Sequence, residues 1–459
     1  MTKKSAIFVH FAGDVPMPDT SRFGVSYAAM VNDRAAEGSF RIDRRMYDDP
    51  DVYETEMSRI FEATWIYVAH ESQISKPGDY FWTEIGRQPV IINRLDDGKI
   101  GGLINACSHR GALLTPTRQG NARIFVCRYH GWTFKSDGDC IRIKDEAIGY
   151  PNGIDKSCFN LTPLPRVENY KGFIFASLNP EAPALAEHLG DSRPFIDMLA
   201  DQSPDGMEVL PGSSTYIVEC NWKLQIENGV DGYHVGIVHR NFAQTVRRRN
   251  ELNNASGMKL TENARFDPGT VETACYDLGH GHNVIWSDRG APEAAPLYEA
   301  KDKLVPLVGE EKWKWMVGRG RNLLIYPNVF LMDQSSTQIR VIRPLSPSKT
   351  EIKVFCIAPR GESSEARRAR LNKFRDFFLT SGLATPDDSV ALEDTQAGVA
   401  GRLAQWSPFD RGMATASVGA DEHIRELEIE PKGRNTPWDL ETIFLGQYRR
   451  WAELMAVDR

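Results

Sequence analysis

Two short stretches, Cys107-Ser-His109 and Cys127-Arg-Tyr-His130, decide how this chain folds. Each supplies one cysteine and one histidine, and the glycine that follows each pair indicates a loop. Two cysteines and two histidines suit a [2Fe–2S] cluster in which imidazoles replace thiolates on one iron. That replacement raises the reduction potential, so such a cluster serves as an electron relay. We therefore predict that these four side chains hold a Rieske-type cluster.

Tetrahedral zinc is an alternative, because it also accepts two cysteines and two histidines. Zinc motifs usually group cysteine with cysteine and histidine with histidine, whereas each stretch here supplies one of each. The spacing therefore favours the iron–sulfur cluster. It leaves a zinc site and a coincidental arrangement open as alternatives.

The composition excludes several classes of protein. A chain of 459 residues is long enough for a large core and two domains. A net charge of −7 without a basic tail argues against nucleic-acid binding. The apolar runs are too short to span a membrane, and no signal peptide is evident, so we expect a cytoplasmic protein. Seven cysteines, an odd number in a long chain, argue against a disulfide framework.

Three stretches differ in character, and together they predict an α+β fold. Residues 1–57 are expected to form a helical segment that packs on the catalytic domain. Residues 58–178 are β-rich and predict a small antiparallel β domain whose tip holds the cluster. Residues 179–459 mix helices and strands, which predicts a larger catalytic domain with an antiparallel sheet flanked by helices.

Local patterns predict individual elements. A helix is expected over 51–63, and another over 364–381, capped by Ser364 and stopped by Gly382. A polar turn predicts a hairpin between 338–344 and 351–358. Strands are predicted at Trp65–Ala69, Pro89–Asn93, Leu103–Asn105, Ile124–Cys127, Trp132–Phe134, Phe173–Ser177 and Ser214–Cys220.

A second metal site is predicted at Asp231-Gly-Tyr-His234-Val-Gly-Ile-Val-His239. Residues five apart lie about 140° around an ideal helix, so the two histidines converge only if the helix bulges or ends between them. We expect Gly236 to permit that distortion. The alternative is a pair of hydrogen-bonded core histidines, but an electron relay needs an acceptor, and an iron site would supply it.

Two histidines and one carboxylate form the facial triad of non-haem Fe(II) oxygenases, which leaves coordination positions open. The residues alone leave the carboxylate undecided. Asp231 is near in sequence but also suits a hydrogen bond to an imidazole. Asp387 and Asp388 follow Thr385-Pro386, where acidic residues are also favoured simply by the first turn of a helix.

These motifs together resemble the large (α) subunit of Rieske ring-hydroxylating dioxygenases over nearly the whole chain. Within that family, the stretches 127–134, 227–235 and 384–388 are similar to the benzoate, toluate, anthranilate and 2-halobenzoate branch. The resemblance implies that His234, His239 and Asp388 hold a mononuclear iron. It also implies that Asp231 bridges His234 to His130 of a neighbouring subunit.

The resemblance further implies a reaction and partners. The expected reaction is cis-dihydroxylation of an aromatic carboxylate with O₂ and with electrons from NADH, delivered by a separate flavin/iron–sulfur reductase. An α3 or α3β3 assembly with a small β subunit is expected. The candidates for the substrate pocket are Glu227, where some relatives carry Asn, and Asn228 and Phe378. The alternatives are a monooxygenase such as a salicylate hydroxylase or demethylase, a pure electron carrier, and a zinc-stabilised interaction protein.

The group that binds the substrate carboxylate is not identified by the sequence. An arginine or an amide is the expected partner of a carboxylate on a ring held in an apolar pocket. The run Arg247-Arg-Arg249 follows the histidine pair closely. A solvated helix face explains this run more simply, and docking of an acidic electron donor is the other alternative.

Overall fold

The computed structural model of the chain describes residues 26–256, 271–334 and 336–456. Of the predicted N-terminal segment, residues 1–25 lie outside the described part. The remainder contains a β-hairpin besides its helical turns, a feature that the sequence did not indicate. Helix α1 continues as a π-helical turn over Met57–Phe61, close to the predicted extent. The elements are β1 (Val31–Arg34), β2 (Ser39–Asp43) and α1 (Pro50–Glu56).

The cluster-bearing region is built from short antiparallel strands. A sheet of order β6-β5-β4-β7 and a smaller sheet of order β10-β9-β8 enclose their own apolar core, which includes Phe125, Phe134 and Leu103. The elements are β3 (Ile66–His70), β4 (Asp79–Ile85), β5 (Gln88–Arg94), β6 (Ile100–Ile104), β7 (Gln119–Asn121), β8 (Ile124–Val126), β9 (Thr133–Lys135), β10 (Cys140–Arg142), α2 (Glu146–Gly149), β11 (Arg166–Tyr170) and β12 (Phe173–Ser177).

The catalytic region combines helices with long strands. Its elements are α3 (Leu185–Leu189), α4 (Arg193–Ala200), β13 (Met207–Val209), β14 (Ser214–Val218), α5 (Trp222–Asn228), α6 (Val235–Val238), α7 (Arg240–Ser256), β15 (Thr273–Asp277), β16 (Asn283–Asp288), α8 (Lys301–Val308), α9 (Glu310–Gly318), β17 (Arg319–Ile325), β18 (Val329–Asp333), β19 (Thr337–Ser346), β20 (Lys349–Pro359), α10 (Ser364–Phe378), α11 (Thr385–Val399), β21 (Trp406–Pro408), β22 (Gly433–Asn435) and α12 (Phe444–Met455).

A nine-stranded antiparallel sheet organises this region. Its order is β13-β20-β19-β18-β17-β16-β15-β22, and β14 also pairs with β20. Successive side chains of a strand face opposite sides. Arg321 of β17 donates to Met198 of α4, whereas its neighbour Asn322 donates to Gly229 at the end of α5. Helices therefore cover both faces, and the predicted α+β fold with a flanked antiparallel sheet is confirmed.

The predicted hairpin is present as β19 and β20, and the predicted helix over 364–381 is present as α10. Two details of that helix differ. Ser363, not Ser364, is its N-cap, because the Ser363 hydroxyl accepts a hydrogen bond from the Ala366 amide at 3.1 Å. The helix ends at Phe378, because Leu379 is already extended, so Gly382 is not its stop.

A buried ion pair fixes helix α5, which leads to the predicted metal site. Lys223 Nζ lies 2.6 Å from Glu56 Oε1, with both side chains essentially inaccessible. The indole N–H groups of Trp222 and Trp451 also donate to the Glu56 carboxylate, at 2.8 and 2.7 Å. Residues from α1, α5 and α12 thus meet at one buried charge, which ties both ends of the described chain to the catalytic region.

Replacing Lys223 by Met should lower the free energy of unfolding by about 3–5 kcal/mol, because it leaves Glu56 buried without its counter-charge. Urea unfolding followed by far-ultraviolet circular dichroism measures this loss. The double variant Lys223→Met, Glu56→Gln should recover part of it. A single variant as stable as the wild type would show that the pair contributes nothing.

Candidate metal centres

The two cysteine–histidine loops close in the same way. In each, the amide of the glycine four residues after the cysteine donates to the cysteine carbonyl at 2.8 Å, from Gly111 to Cys107 and from Gly131 to Cys127. Gly111 and Gly131 adopt φ values of 73° and 72°, which side chains rarely tolerate. This requirement explains the glycine after each pair.

The four predicted cluster ligands lie together at the tip of the small domain. The rings of His109 and His130 are 4.6 Å apart between centroids, and Trp132 stacks on His109 at 4.7 Å. The Nδ1 atom of His109 is buried without a hydrogen-bond partner among the described residues. Burial raises the pKa of the Cys107 thiol, and the adjacent Cys127 thiol adds to the rise, while the backbone amides of His109 and Arg110 oppose it.

The spread of these ligand atoms fits two metal ions better than one. Around a single tetrahedral zinc, neighbouring ligand atoms lie within about 3.8 Å of one another. Within the part of the chain that the structure describes, no three of the four cluster ligand atoms lie within 4.8 Å of one another, as ligands of one ion would. The donor set therefore fits a [2Fe–2S] cluster, whose two irons separate the thiolates from the imidazoles.

The second predicted site forms where one helix is interrupted. Helix α5 ends at Asn228, α7 begins at Arg240, and between them stands α6, which is only four residues long. His234 precedes α6 and His239 terminates it with φ −92° and ψ 18°. The predicted break between the two histidines is present, and it brings their rings to 5.1 Å between centroids.

The reason given for the break needs correction at one glycine. Gly236 lies within α6, where an added Cβ would have no neighbour within 4 Å, so no close contact requires glycine there. Gly229 and Gly232 do need to be small. A Cβ would lie 2.2 Å from the Phe330 ring at Gly229 and 2.5 Å from the Trp438 ring at Gly232. Close packing before the histidines, rather than flexibility between them, accounts for these two glycines.

Three ligand atoms converge at this break. His234 Nε2 lies 3.3 Å from His239 Nε2, and Asp388 Oδ1 lies 3.4 and 3.3 Å from these two nitrogens. The centre of such a triangle is about 1.9 Å from each corner, so an ion slightly above its plane lies within metal–ligand bonding distance. The three atoms would hold a bound ion from one side, as the facial triad of non-haem iron oxygenases does.

The structure separates the two neighbouring aspartates. Asp388 lies in the first turn of α11 with its carboxylate in the triangle, whereas Asp387 does not converge with the histidines. Burial acts to raise the pKa of Asp388, but the hydrogen bond from His234 and the charges of His239 and Arg340 hold it below its ordinary value. The carboxylate is therefore anionic and suited to bind a cation.

Asp231 lies behind His234 rather than in the triangle. Its Oδ2 accepts a hydrogen bond from His234 Nδ1 at 3.1 Å, and its Oδ1 accepts one from the Tyr233 amide at 2.6 Å. Burial lowers the pKa of His234, but hydrogen bonds to Asp231 and Asp388 outweigh it and raise the pKa to about 9. Asp231 thus holds the Nδ1 proton and leaves Nε2 to face the metal position.

Two of the pocket candidates, Asn228 and Phe378, lie at different distances from the triangle. The Asn228 amide donates to Asp388 Oδ1 at 3.3 Å and lies 3.4 Å from His234 Nε2. Phe378 is buried, and its ring lies 4.7 Å from that of Phe377, which is 5.7 Å from His239. Asn228 therefore touches the site directly, and Phe378 lies one ring further away.

Glu227 is held by two tyrosines, Tyr47 and Tyr448, that no sequence motif singles out. The hydroxyls of Tyr47 and Tyr448 both donate to Glu227 Oε1, and the two hydroxyl oxygens lie 2.5 Å from each other. Burial raises the pKa of Glu227 to about 7, although these donors act to lower it. The two tyrosines come from opposite ends of the described chain, so no local motif could have joined them to Glu227.

The arginine run lies on the exterior of helix α7. Arg247 and Arg248 are exposed, and Arg249 lies 3.9 Å from Asp376, a loose contact. The explanation as a solvated helix face fits these positions.

None of the described helices is long and apolar enough to cross a membrane.

Comparisons with known proteins match the two regions of the chain that carry these candidate sites. Residues 64–151 match the Rieske [2Fe-2S] domain, and residues 206–423 match the catalytic domain of the ring hydroxylating alpha subunit. The 2-halobenzoate 1,2-dioxygenase large subunit of Burkholderia cepacia is 43% identical over 93% of this chain and 91% of its own. The toluate 1,2-dioxygenase subunit alpha of Pseudomonas putida is 42% identical over 96% of both.

The fold has solved relatives as well. The naphthalene 1,2-dioxygenase of Rhodococcus sp. superposes with a TM-score of 0.77 at 26% identity, over 91% of this chain and 94% of that one. The cofactors of this family are a Rieske cluster and a mononuclear iron, with O₂ as cosubstrate and NADH, through a reductase, as the electron source. The resemblance found in the sequence is confirmed, and the chain belongs to the large subunits of Rieske aromatic ring-hydroxylating dioxygenases.

Proposed function

We propose that the chain catalyses cis-dihydroxylation of a ring-substituted benzoate, with O₂ and with electrons from NADH through a separate reductase. The observation that carries this proposal is the identity of 41–43% to three large subunits named for 2-halobenzoate, toluate and anthranilate. All three compounds are benzoates with one ring substituent. The facial arrangement of His234, His239 and Asp388 supports it, because it leaves room for O₂ beside the substrate.

The side chains have distinct roles in this proposal. Cys107, His109, Cys127 and His130 hold the cluster, and His234, His239 and Asp388 hold the iron. When bound, the cluster supplies single electrons and the iron supplies O₂ activation. Asp231 fixes the tautomer and orientation of His234 through the 3.1 Å hydrogen bond to Nδ1. Asn228 restrains the Asp388 carboxylate by donating to it.

Electron transfer is proposed to cross between subunits, from His130 of one to Asp231 and His234 of the next. Among the described residues, no hydrogen bond, ion pair or ring contact joins His130 to Asp231 within one chain. Both remain accessible to a neighbour, because His130 is partly exposed and the Asp231 side chain is 25% exposed. Exposed Tyr129 and Tyr233 stand beside them. An α3 or α3β3 assembly would bring the two sites together.

We also propose that the chain is divided into a cluster domain over residues 58–178 and a catalytic domain over residues 179–459, with the segment 1–57 packed on the catalytic domain. Support comes from the separate apolar core around the cluster loops and from the contacts of Glu56 and Tyr47 with helix α5.

The function is tested with the reconstituted system of large subunit, small subunit and reductase on a panel of benzoates. Substituted benzoates should give cis-dihydrodiols carrying two ¹⁸O atoms from ¹⁸O₂. Products with a single labelled atom would reassign the chain as a monooxygenase. A panel in which only neutral aromatics react would disprove the proposed substrate class.

The ligand assignment predicts about three irons per wild-type chain, two in the cluster and one in the triad. Asp388→Ala should retain about two and keep the visible cluster spectrum, because the triad loses its carboxylate and the distant cluster does not. Asp387→Ala is the matched control and should keep about three. Equal iron content in the two variants would show that Asp388 is not a ligand.

Asp231→Asn should keep both metals but slow electron transfer and turnover by about 10- to 100-fold, since the amide loses the charge that orients His234. Rapid mixing of the reduced protein with O₂ and substrate, followed at the cluster absorbance, measures the rate. Tyr233→Phe, on the exposed neighbour, should react at the wild-type rate. A wild-type rate in Asp231→Asn would rule out the bridge.

A further inference from the structure

One buried arginine of the catalytic region, Arg340, has no ion-pair or hydrogen-bond partner among the described residues. Four arginines are buried among the described residues: Arg59, Arg321, Arg340 and Arg370. Arg321 pairs with Asp333, Arg370 pairs with Glu362, and Arg59 donates to the Met455 carbonyl. Arg340, only 5% exposed, forms no ion pair with any described carboxylate, and its Nε is buried without a hydrogen-bond partner.

An unpaired buried guanidinium is costly. Removing a charged group from water is unfavourable unless an opposite charge or several hydrogen bonds compensate it, and arginine stays protonated in proteins. The only described contact of the Arg340 head group is with the Phe378 ring, whose centroid lies 5.7 Å from Cζ. A ring face compensates only part of that cost. Asp388 is near enough to respond to this charge, but no anion among the described residues contacts the Arg340 head group directly.

Arg340 belongs to a polar patch on one face of the sheet. Arg340 lies two residues after Gln338 on β19, so the two side chains share one face of the sheet. On the neighbouring strands, Met332 pairs with Gln338, and Asn322 of β17 pairs with Met332, which places Asn322 on the same face. The side-chain oxygens of Gln338 and Asn322 are also buried without partners among the described residues. The Asn322 amide donates to Gly229 at 3.1 Å, so this face lies against the end of helix α5.

The patch lies close to the metal triad. A series of rings runs from His239 to Phe377 and Phe378, with centroid distances of 5.7 and 4.7 Å, and Arg340 lies against the last ring. Asp388, the carboxylate of the triad, is already engaged by both histidines. The charge of Arg340 also acts on the Asp388 carboxylate, so an anion beside Arg340 would lie near the triad, together with an aromatic wall.

We propose that Arg340 binds the carboxylate of the aromatic substrate and so orients the ring toward the metal triad. This inference rests on the proposed function, and it names the residue that recognises the acid. A guanidinium matches a carboxylate with two parallel hydrogen bonds, which fixes direction as well as affinity. Phe378 would contact the ring attached to that carboxylate, because it already stacks beside the guanidinium.

The test compares Arg340→Gln, Arg340→Lys and the control Arg343→Gln in the complete enzyme. Arg343 lies on the same strand but pairs with Glu84 and Glu351 on the opposite face. Calorimetric titration measures the Kd for benzoate, and steady-state kinetics measure KM and kcat for benzoate and for benzamide, which is uncharged. The visible cluster spectrum and the melting temperature report on folding.

We expect Arg340→Gln to raise the Kd and KM for benzoate by about 10- to 100-fold, as loss of a charge-assisted pair predicts. Values for benzamide should change little, so the preference for the acid falls by the same factor. Arg340→Lys keeps the charge without the fork and should raise both constants for benzoate by about tenfold. Arg343→Gln should match the wild type.

Equal changes for benzoate and benzamide in Arg340→Gln would overturn the inference, because they would indicate a structural role. If that variant fails to fold, Arg340→Lys decides, and wild-type benzoate constants in it would overturn the inference too. Failure of the proposed function is recognised separately, because the wild-type enzyme itself would then bind and convert no benzoate.

Discussion

The interruption between helices α5 and α7 is the constraint on which the metal centre depends. In a continuous helix, His234 and His239 would diverge by about 140° and could not share an ion. Because α6 spans four residues and ends at His239, both Nε2 atoms reach the carboxylate that the first turn of α11 supplies. A helix start suits Asp388, since its anion is favoured there even before the histidines approach it. The backbone geometry of α6 and α11 therefore places the three ligand atoms where a metal ion could bind them.

Contacts from distant parts of the chain hold that interruption in place. The Phe330 ring packs against Gly229 too closely for any side chain, and Asn322 binds its carbonyl, so the sheet fixes the end of α5. At the other end of the helix, Lys223 is bound to Glu56 of α1. The N-terminal region is therefore part of the catalytic scaffold, although it supplies none of the three triad atoms.

The sequence predicted most where the interacting residues are close together along the chain. The cluster loops and the histidine pair are contiguous motifs, so their chemistry could be inferred before the fold was known. Asp388 is one of several carboxylate candidates in the sequence, because its convergence with the two histidines depends on where α11 packs. Tyr47 and Tyr448 carried no signal, since their partner Glu227 is far away in sequence. Arg340 interrupts an apolar strand, but only the pairing of the sheet reveals that its face is buried.

Charge balance links the two halves of the site. A divalent ion bound in the triangle would be neutralised formally by Asp388, its proposed ligand, and by Asp231, which accepts a hydrogen bond from His234. The guanidinium of Arg340 has no carboxylate in direct contact among the described residues, and it lies in a region with few water contacts, where electrostatic interactions are strong. A neutral aromatic would leave that guanidinium without an anionic partner, whereas the proposed benzoate substrate would supply one. In the proposed function, this residue would therefore favour an acid over a neutral aromatic.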